Sequence, residues 1–156
     1  MHRTIDKPVK PDHDRGSAIF LGPLLVVIIA YLTGFFVDLG DVMTKADGFD
    51  QSLSLAAAAG STQVSATEFY RSGLMVLNPS TAQRAAISQV ETTLPHGTRL
   101  IGGPSIIVSQ GAICIRANEL IKLPFSLVPG MSPYVSYSSS SSAIARGSAT
   151  VTAPTC

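Results

Sequence analysis

Four aspartates lie close together after a long apolar stretch: Asp38, Asp41, Asp47 and Asp50. Closely spaced carboxylates can bind a metal ion or act as an acid and base pair. Apolar residues recur between them at steps of three and four, however, which is the period of an amphipathic helix, and the aspartates then fall on its polar side. We therefore expect a solvated helix face here, and neither a metal site nor a catalytic pair.

The other residue types that could carry chemistry are scattered. His2 and His13 are separated from His96 by a predicted membrane helix, so the three cannot form one metal cluster. Cys114 and Cys156 lack the paired C-x-x-C spacing of a zinc site. The sequence has no G-x-S-x-G, P-loop or G-x-G-x-x-G motif. We predict no catalytic residue, metal, cofactor or small-molecule substrate; the alternative is a small anchored hydrolase with an unrecognised site.

The two cysteines predict one disulfide. Both fall on the predicted outer side of a membrane, where an oxidising compartment favours pairing. A Cys114–Cys156 bridge would close a loop of about 43 residues and stabilise the fold by roughly 4 kcal/mol in the chain-entropy model. The alternative is a pair of free thiols.

The element that precedes these residues is an unbroken apolar run over residues 18–37. At about 1.5 Å per residue, this run spans roughly 30 Å, the hydrocarbon thickness of a bilayer. It contains no charged residue and no histidine. A cleaved signal peptide is the alternative, but its apolar core would be shorter, about 7–15 residues, and followed by a cleavage site of small residues. We expect an uncleaved, single-pass membrane anchor.

The residues on either side of the run predict its orientation. Basic residues precede it in a tail of residues 1–16, and the first charged residues after it are Asp38 and Asp41. Because basic flanks stay in the cytoplasm, the N-terminus is expected inside and residues 61–156 form an extracytoplasmic domain at the cell surface. The net charge is +1 with scattered basic residues, which argues against nucleic acid as a partner.

The helical period continues beyond the membrane, so we predict one helix over residues 17–60, with its transmembrane part at 18–37 and an extension at 38–60. Asp41 and Lys45 form a favourable i,i+4 pair on it. The apolar stripe of the extension packs either on neighbouring subunits or on the chain's own domain. This predicted helix-packing face comprises Val42, Met43, Ala46, Phe49, Leu53, Ala56, Ala57 and Gly60.

The remainder predicts an α+β fold, with a second helix and a small antiparallel β-meander. A weakly helical segment at 67–77 precedes the second helix, which begins at a Ser80 capping box and carries an apolar stripe. Period-two or β-branched runs predict strands at 104–110, 112–117, 134–138 and 149–153. Residues 120–128 form an edge strand or extended loop because of Pro124. The serine run at 138–142 is expected to be a mobile loop.

The N-terminal third resembles a known family. It has Asp-Arg-Gly-Ser-Ala at 14–18, an apolar helix with an early proline, Val-Asp-Leu-Gly at 37–40 and Leu-Ala-Ala-Ala-Ala-Gly at 55–60. This order of motifs over residues 15–60 resembles the TadE/TadG-like family of membrane-anchored, pilin-like accessory proteins of the Tad (Flp) pilus, a relative of the type IV pilus. The resemblance implies a long packing helix below an external domain.

The same resemblance identifies Gly16 and Ser17 as a candidate peptidase cleavage site. Processed pilin-like members have Glu at the fifth residue after the cleavage glycine, where this chain has Leu21. We therefore expect residues 1–16 to be retained. The function implied is a non-enzymatic accessory or minor pilin-like component of a Tad-type pilus or secretion apparatus, whose partners are membrane lipid and other apparatus subunits. The alternative is a membrane-anchored binding or adhesion domain unrelated to a pilus.

Overall fold

The computed structural model describes residues 17–125, 132–147 and 156. It has an α+β fold, in which a long N-terminal helix, two further helices and a four-stranded antiparallel sheet follow one another. The elements are α1 (Ser17–Ser61), α2 (Ala66–Ser72), α3 (Pro79–Thr93), β1 (Thr98–Leu100), β2 (Ser105–Val108), β3 (Ala112–Lys122) and β4 (Tyr134–Ile144).

The sheet is built around β3. One edge of β3 pairs along its whole length with β4, from Ala112 opposite Ile144 to Lys122 opposite Tyr134. Its other edge pairs with two short strands placed end to end, β2 near the start of β3 and β1 near its end. The expected antiparallel meander is therefore present, with β1 as an additional strand that its sequence did not indicate.

One face of the sheet packs on α1 and α3. On β3, alternate residues point toward the helices, and Ile113, Ile115 and Ala117 join the core there. The helix α3 contributes its predicted stripe of Ala82, Ala86 and Val90. The remaining buried core residues come largely from the upper part of α1: Phe49, Leu53, Ala56 and Ala57.

Two local predictions were wrong. The N-cap of α3 is Asn78, whose side chain accepts a hydrogen bond from the Thr81 N–H, and Pro79 occupies the first turn, so Ser80 is not the cap. The serine run at 138–142 lies within β4 and is not a loop. Pairing with β3 outweighs the weak strand preference of serine, and the small side chains of Ser139 and Ser141, opposite core residues of β3, leave room for α1.

Other predictions have simpler outcomes. Gly73 ends α2 in the left-handed conformation, at the break expected in the 67–77 segment. Residues 120–122 belong to β3, residues 123–125 follow it outside any strand, and residues 126–128 lie outside the described residues. The predicted strand at 149–153 and the tail of residues 1–16, including Gly16, also lie outside them, whereas Ser17 is the first residue of α1.

Candidate functional site

The lower half of α1, from Phe20 to Val37, has no buried residue. Its apolar side chains point outward on all sides of the helix, and their exposed fractions reach 80 % at Phe20 and 65 % at Phe36. In the part of the chain that the structure describes, this is the one helix that by length and composition could cross a membrane. A stretch that is apolar all round is typical of a helix surrounded by lipid or by protein.

The upper half of α1 is packed against the chain's own domain. Five of the eight residues of the predicted helix-packing face are buried there: Phe49, Leu53, Ala56, Ala57 and Gly60. Val42 and Ala46 are half-buried, and only Met43 is exposed, at 58 %. Of the two alternatives for this stripe, packing on the domain accounts for most of it.

Gly60 explains how closely α1 approaches its neighbours. A Cβ placed on Gly60 would collide with the Ile113 side chain of β3 and lie 3.2 Å from the Ala82 carbonyl of α3. Ser52 links α1 to α3, because its hydroxyl donates a hydrogen bond to the Thr93 carbonyl at 2.7 Å, near the C-terminus of α3. The close approach that Gly60 permits is therefore made inside this domain.

The expected solvated face of aspartates is wrong for most of its members. Only Asp47 is exposed. Asp38 is 9 % exposed and accepts a hydrogen bond from the Phe125 N–H at 2.8 Å. Asp50 is half-buried and accepts a hydrogen bond from the Tyr137 hydroxyl at 3.1 Å. The strands cover this side of α1, and the polar groups find partners there, as buried polar groups must.

Lys45 supplies a positive charge to this side of the helix. Its Nζ lies 2.6 Å from Asp41 Oδ2, which confirms the predicted i,i+4 pair, and 3.5 Å from the Lys122 carbonyl at the end of β3. We call the polar side chains that lie between α1 and the sheet the polar seam. It comprises Asp38, Asp41, Lys45, Asp50, Glu119 and Tyr137.

Glu119 is the most unusual member of the polar seam. It is fully buried, and neither carboxylate oxygen has a hydrogen-bond partner. Burial, and after it the negative charge of Asp50, raise the pKa of Glu119 from 4.5 to about 7, and Lys45 opposes the shift. A carboxyl group with this pKa is partly protonated at neutral pH, whereas an ordinary surface glutamate is ionised.

Tyr137 lies next to Glu119 because the two are directly opposite in the β3–β4 pairing. Burial and the hydrogen bond to Asp50 raise the pKa of Tyr137 above its ordinary value. Its ring packs edge to face on Phe49, with centroids 6.3 Å apart. The hydroxyl thus stays protonated and holds β4 to α1.

Sequence reasoning missed Glu119 and Tyr137, although one signal was available. The predicted strand at 112–117 ends too early; continued to residue 122, its alternation places Glu119 on the apolar face, in line with Ile115 and Ile121. A carboxylate at such a position is rarely fully buried without a partner. No signal in the sequence pairs Tyr137 with Asp50, since 87 residues separate them.

The carboxylates of the polar seam are not arranged as a metal site. Among the described residues, no group of three or more histidine, cysteine, aspartate or glutamate side chains is placed to hold a metal ion. The arrangement can bind and release a proton and can hold the strands on the helix.

The predicted disulfide joins Cys114 to Cys156, with Cα atoms 5.7 Å apart. Cys114 lies on the face of β3 opposite the helices, since its neighbours Ile113 and Ile115 face the core. The bridge therefore fixes residue 156 against the outer face of the sheet.

Comparison of the chain with models of known protein families, with curated proteins and with solved structures gave no match.

Proposed function

We propose that this chain is a membrane-anchored, non-enzymatic structural protein, a pilin-like accessory component of a Tad-type pilus or secretion apparatus. The observation that supports the proposal most directly is that the two halves of one continuous helix have different surroundings. The lower half of α1 is apolar and unburied, whereas the upper half is built into an α+β domain. A helix rooted in the membrane that also forms the spine of an external domain is the plan implied by the TadE/TadG-like resemblance.

The orientation belongs to the same proposal. Basic residues lie before the span and aspartates after it, so the tail is placed in the cytoplasm and the domain outside. The disulfide supports an oxidising location for the domain.

The surface of α1 that can contact other subunits consists of the apolar residues that the chain's own domain does not cover. Most of the apolar stripe above the membrane is already used within the chain, so neighbouring subunits contact the span itself and the exposed side around Met43. In lipid, such contacts are made by van der Waals packing between helices.

Site-specific photocrosslinking in the host membrane tests the proposal. A photoreactive residue at Phe35, in the span, or at Met43 is expected to yield adducts with another subunit of the apparatus. The matched control is Phe49, which is fully buried by the chain's own domain and is expected to yield none. Removal of the chain should reduce the number of surface fibres or the secreted substrate. Adducts confined to lipid, together with normal fibres and secretion, would contradict the proposal.

A second function is favoured by one observation at the far end of the domain. The helix α2 has no buried residue and exposes Phe69 and Tyr70, the latter by 87 %; Leu74 beyond it is 64 % exposed. Exposed aromatic residues at the tip of an anchored domain suit an adhesion surface. Replacing Tyr70 and Leu74 with serine should then reduce surface binding and leave fibre number unchanged.

A further inference from the structure

We propose that Pro124 and Phe125, described residues of the connection that follows β3, rest in the interfacial layer of the membrane, so that the domain docks on the lipid surface beside its own anchor. This inference rests on the membrane anchoring in the proposed function. It adds a second contact with lipid, made by the sheet.

The level of Phe125 is fixed by Asp38. The uncharged apolar run ends at Val37, so Asp38 is the first residue beyond the predicted hydrocarbon layer. Its carboxylate accepts the Phe125 N–H at 2.8 Å, and the two residues are 87 positions apart in the chain. Because this hydrogen bond joins the backbone of the connection to α1 at residue 38, Phe125 lies at the boundary between hydrocarbon and headgroups.

The course of β3 leads to the same level. Near the start of β3, Ile113 packs against Gly60 at the upper end of α1. At the end of β3, the Lys122 carbonyl faces the Lys45 amine. From Gly60 down to Asp38 the helix descends about 33 Å at 1.5 Å per residue. From Ile113 to Phe125 an extended chain covers about 40 Å at 3.3 Å per residue. The strand β3 therefore runs down the upper helix as far as Lys45, and the residues after it bring Phe125 to the level of Asp38.

The side chains at this end suit the membrane interface. Phe125 is 50 % exposed, Pro124 is exposed beside it, and Tyr134 at the start of β4 is 47 % exposed. Aromatic residues are enriched where the bilayer meets water. Lys122, the cross-strand partner of Tyr134, is exposed and can extend its amine toward the headgroups. Lipid is thus the occupant that this apolar and basic end of the sheet fits.

Tryptophan fluorescence tests the inference, because the sequence contains no tryptophan. Phe125→Trp in the full-length protein, in lipid nanodiscs, provides a single probe at a half-exposed position. We expect emission at shorter wavelength than in water, and stronger quenching by lipids brominated near the headgroup than by lipids brominated near the chain end. Emission typical of water without quenching would overturn the inference.

Two matched probes separate this contact from the anchor. Tyr70→Trp, beyond the upper end of α1, should show emission typical of water and no quenching. Tyr31→Trp lies about 10 Å below Asp38 along the helix and should be quenched most by deeply placed bromine. Quenching at residue 31 without quenching at 125 refutes the docking and leaves the anchor intact. Absence of quenching at both refutes the proposed anchoring as well.

The hydrogen bond from Phe125 to Asp38 provides a final check. In the Phe125→Trp background, Asp38→Ala should reduce quenching at 125 because the backbone contact is lost, whereas Asp38→Asn retains an acceptor oxygen and should preserve it. A second copy of the chain is the competing occupant. Blue-shifted emission that is lost when each nanodisc holds one copy would assign Phe125 to that copy and overturn the lipid contact.

Discussion

The two halves of α1 are parts of one helix with different surroundings. Below Asp38 apolar side chains point in every direction and none is buried; above it Phe49, Leu53 and Ala56 are completely covered by the domain, and Met43 and Leu55 are exposed. Both halves belong to one continuous helix, so the difference lies in the side chains. The distribution of apolar residues around the helix therefore distinguishes the half that is built into the protein core from the half whose length and composition could cross a membrane.

The largest effect is expected from charges in the lower half. Leu24→Arg with Ile28→Arg places two cations in the apolar run, at a cost of about 2.5–3.5 kcal/mol each at the centre of a membrane. The protein should then be extracted from membranes by alkaline carbonate. Met43→Arg, at an exposed position of the upper half, is the control and should leave the protein in the membrane. Retention of the double variant would break the distinction between the halves.

The next effect concerns the upper half, whose stability depends on the sheet. Cys156→Ser removes the bridge to β3 and should destabilise the domain by about 4 kcal/mol, the chain-entropy value for a loop of this length. Thermal unfolding of the full-length protein in detergent should show a lower Tm. Reductant should lower the Tm of the wild type to the same value and leave that of the variant unchanged. A Tm equal to that of the oxidised wild type would show that the bridge contributes nothing.

The sequence predicted the lower half of α1 more reliably than the surface of the upper half. A charge-free run of twenty residues has one common interpretation, and the helical period beyond it is clear over many turns. The period also placed Phe49, Leu53 and Ala57 on the helix-packing face, and the structure shows that they pack in the chain's own core. The period could not tell that strands would cover the neighbouring side as well, because that side is polar and its partners lie far along the chain.

The polar seam shows why the sequence did not reveal that strands cover the polar side of α1. Asp38 and Asp50 have the composition of a solvated face, yet each is held by a group 87 residues away. Such contacts depend on the register of β3 and β4, and a single sequence does not specify that register. The prediction of a loop at 138–142 was wrong for the same reason, since the strand structure of this serine run depends on pairing with β3.

Glu119 makes the upper half sensitive to pH. Its pKa is raised to about 7 in the folded protein, so between pH 4.5 and 7 the native state binds more protons than the unfolded state. Stability therefore falls as the pH rises through this window, by at most about 3 kcal/mol. Glu119→Gln removes the titrating group. We expect its stability to depend less on pH and to exceed that of the wild type above pH 7, as measured by chemical unfolding.

The groups facing Glu119 define the controls for that measurement. Asp50 raises the pKa of Glu119, Lys45 lowers it, and Tyr137 lies directly opposite Glu119 on β4, so none of the three is suitable as a reference. Glu91→Gln makes the same substitution at an exposed position of α3 and should leave the pH dependence between pH 4.5 and 7 close to that of the wild type. If the unfolding free energies of the wild type and Glu119→Gln change with pH in parallel, Glu119 does not titrate in this window.

The smallest effects come from two glycines of α1, and they should have opposite signs. A Cβ at Gly40 would meet nothing within 4 Å, whereas at Gly60 it would collide with Ile113. Alanine in place of glycine within a helix normally stabilises by about 0.5–1 kcal/mol, because it restricts the unfolded chain. Gly40→Ala should therefore raise the Tm slightly. Gly60→Ala should lower the stability by about 1–3 kcal/mol, because overpacking outweighs that gain. Thermal unfolding in one detergent compares the two directly, and stabilisation by both would contradict the close packing of the upper half on β3 and α3.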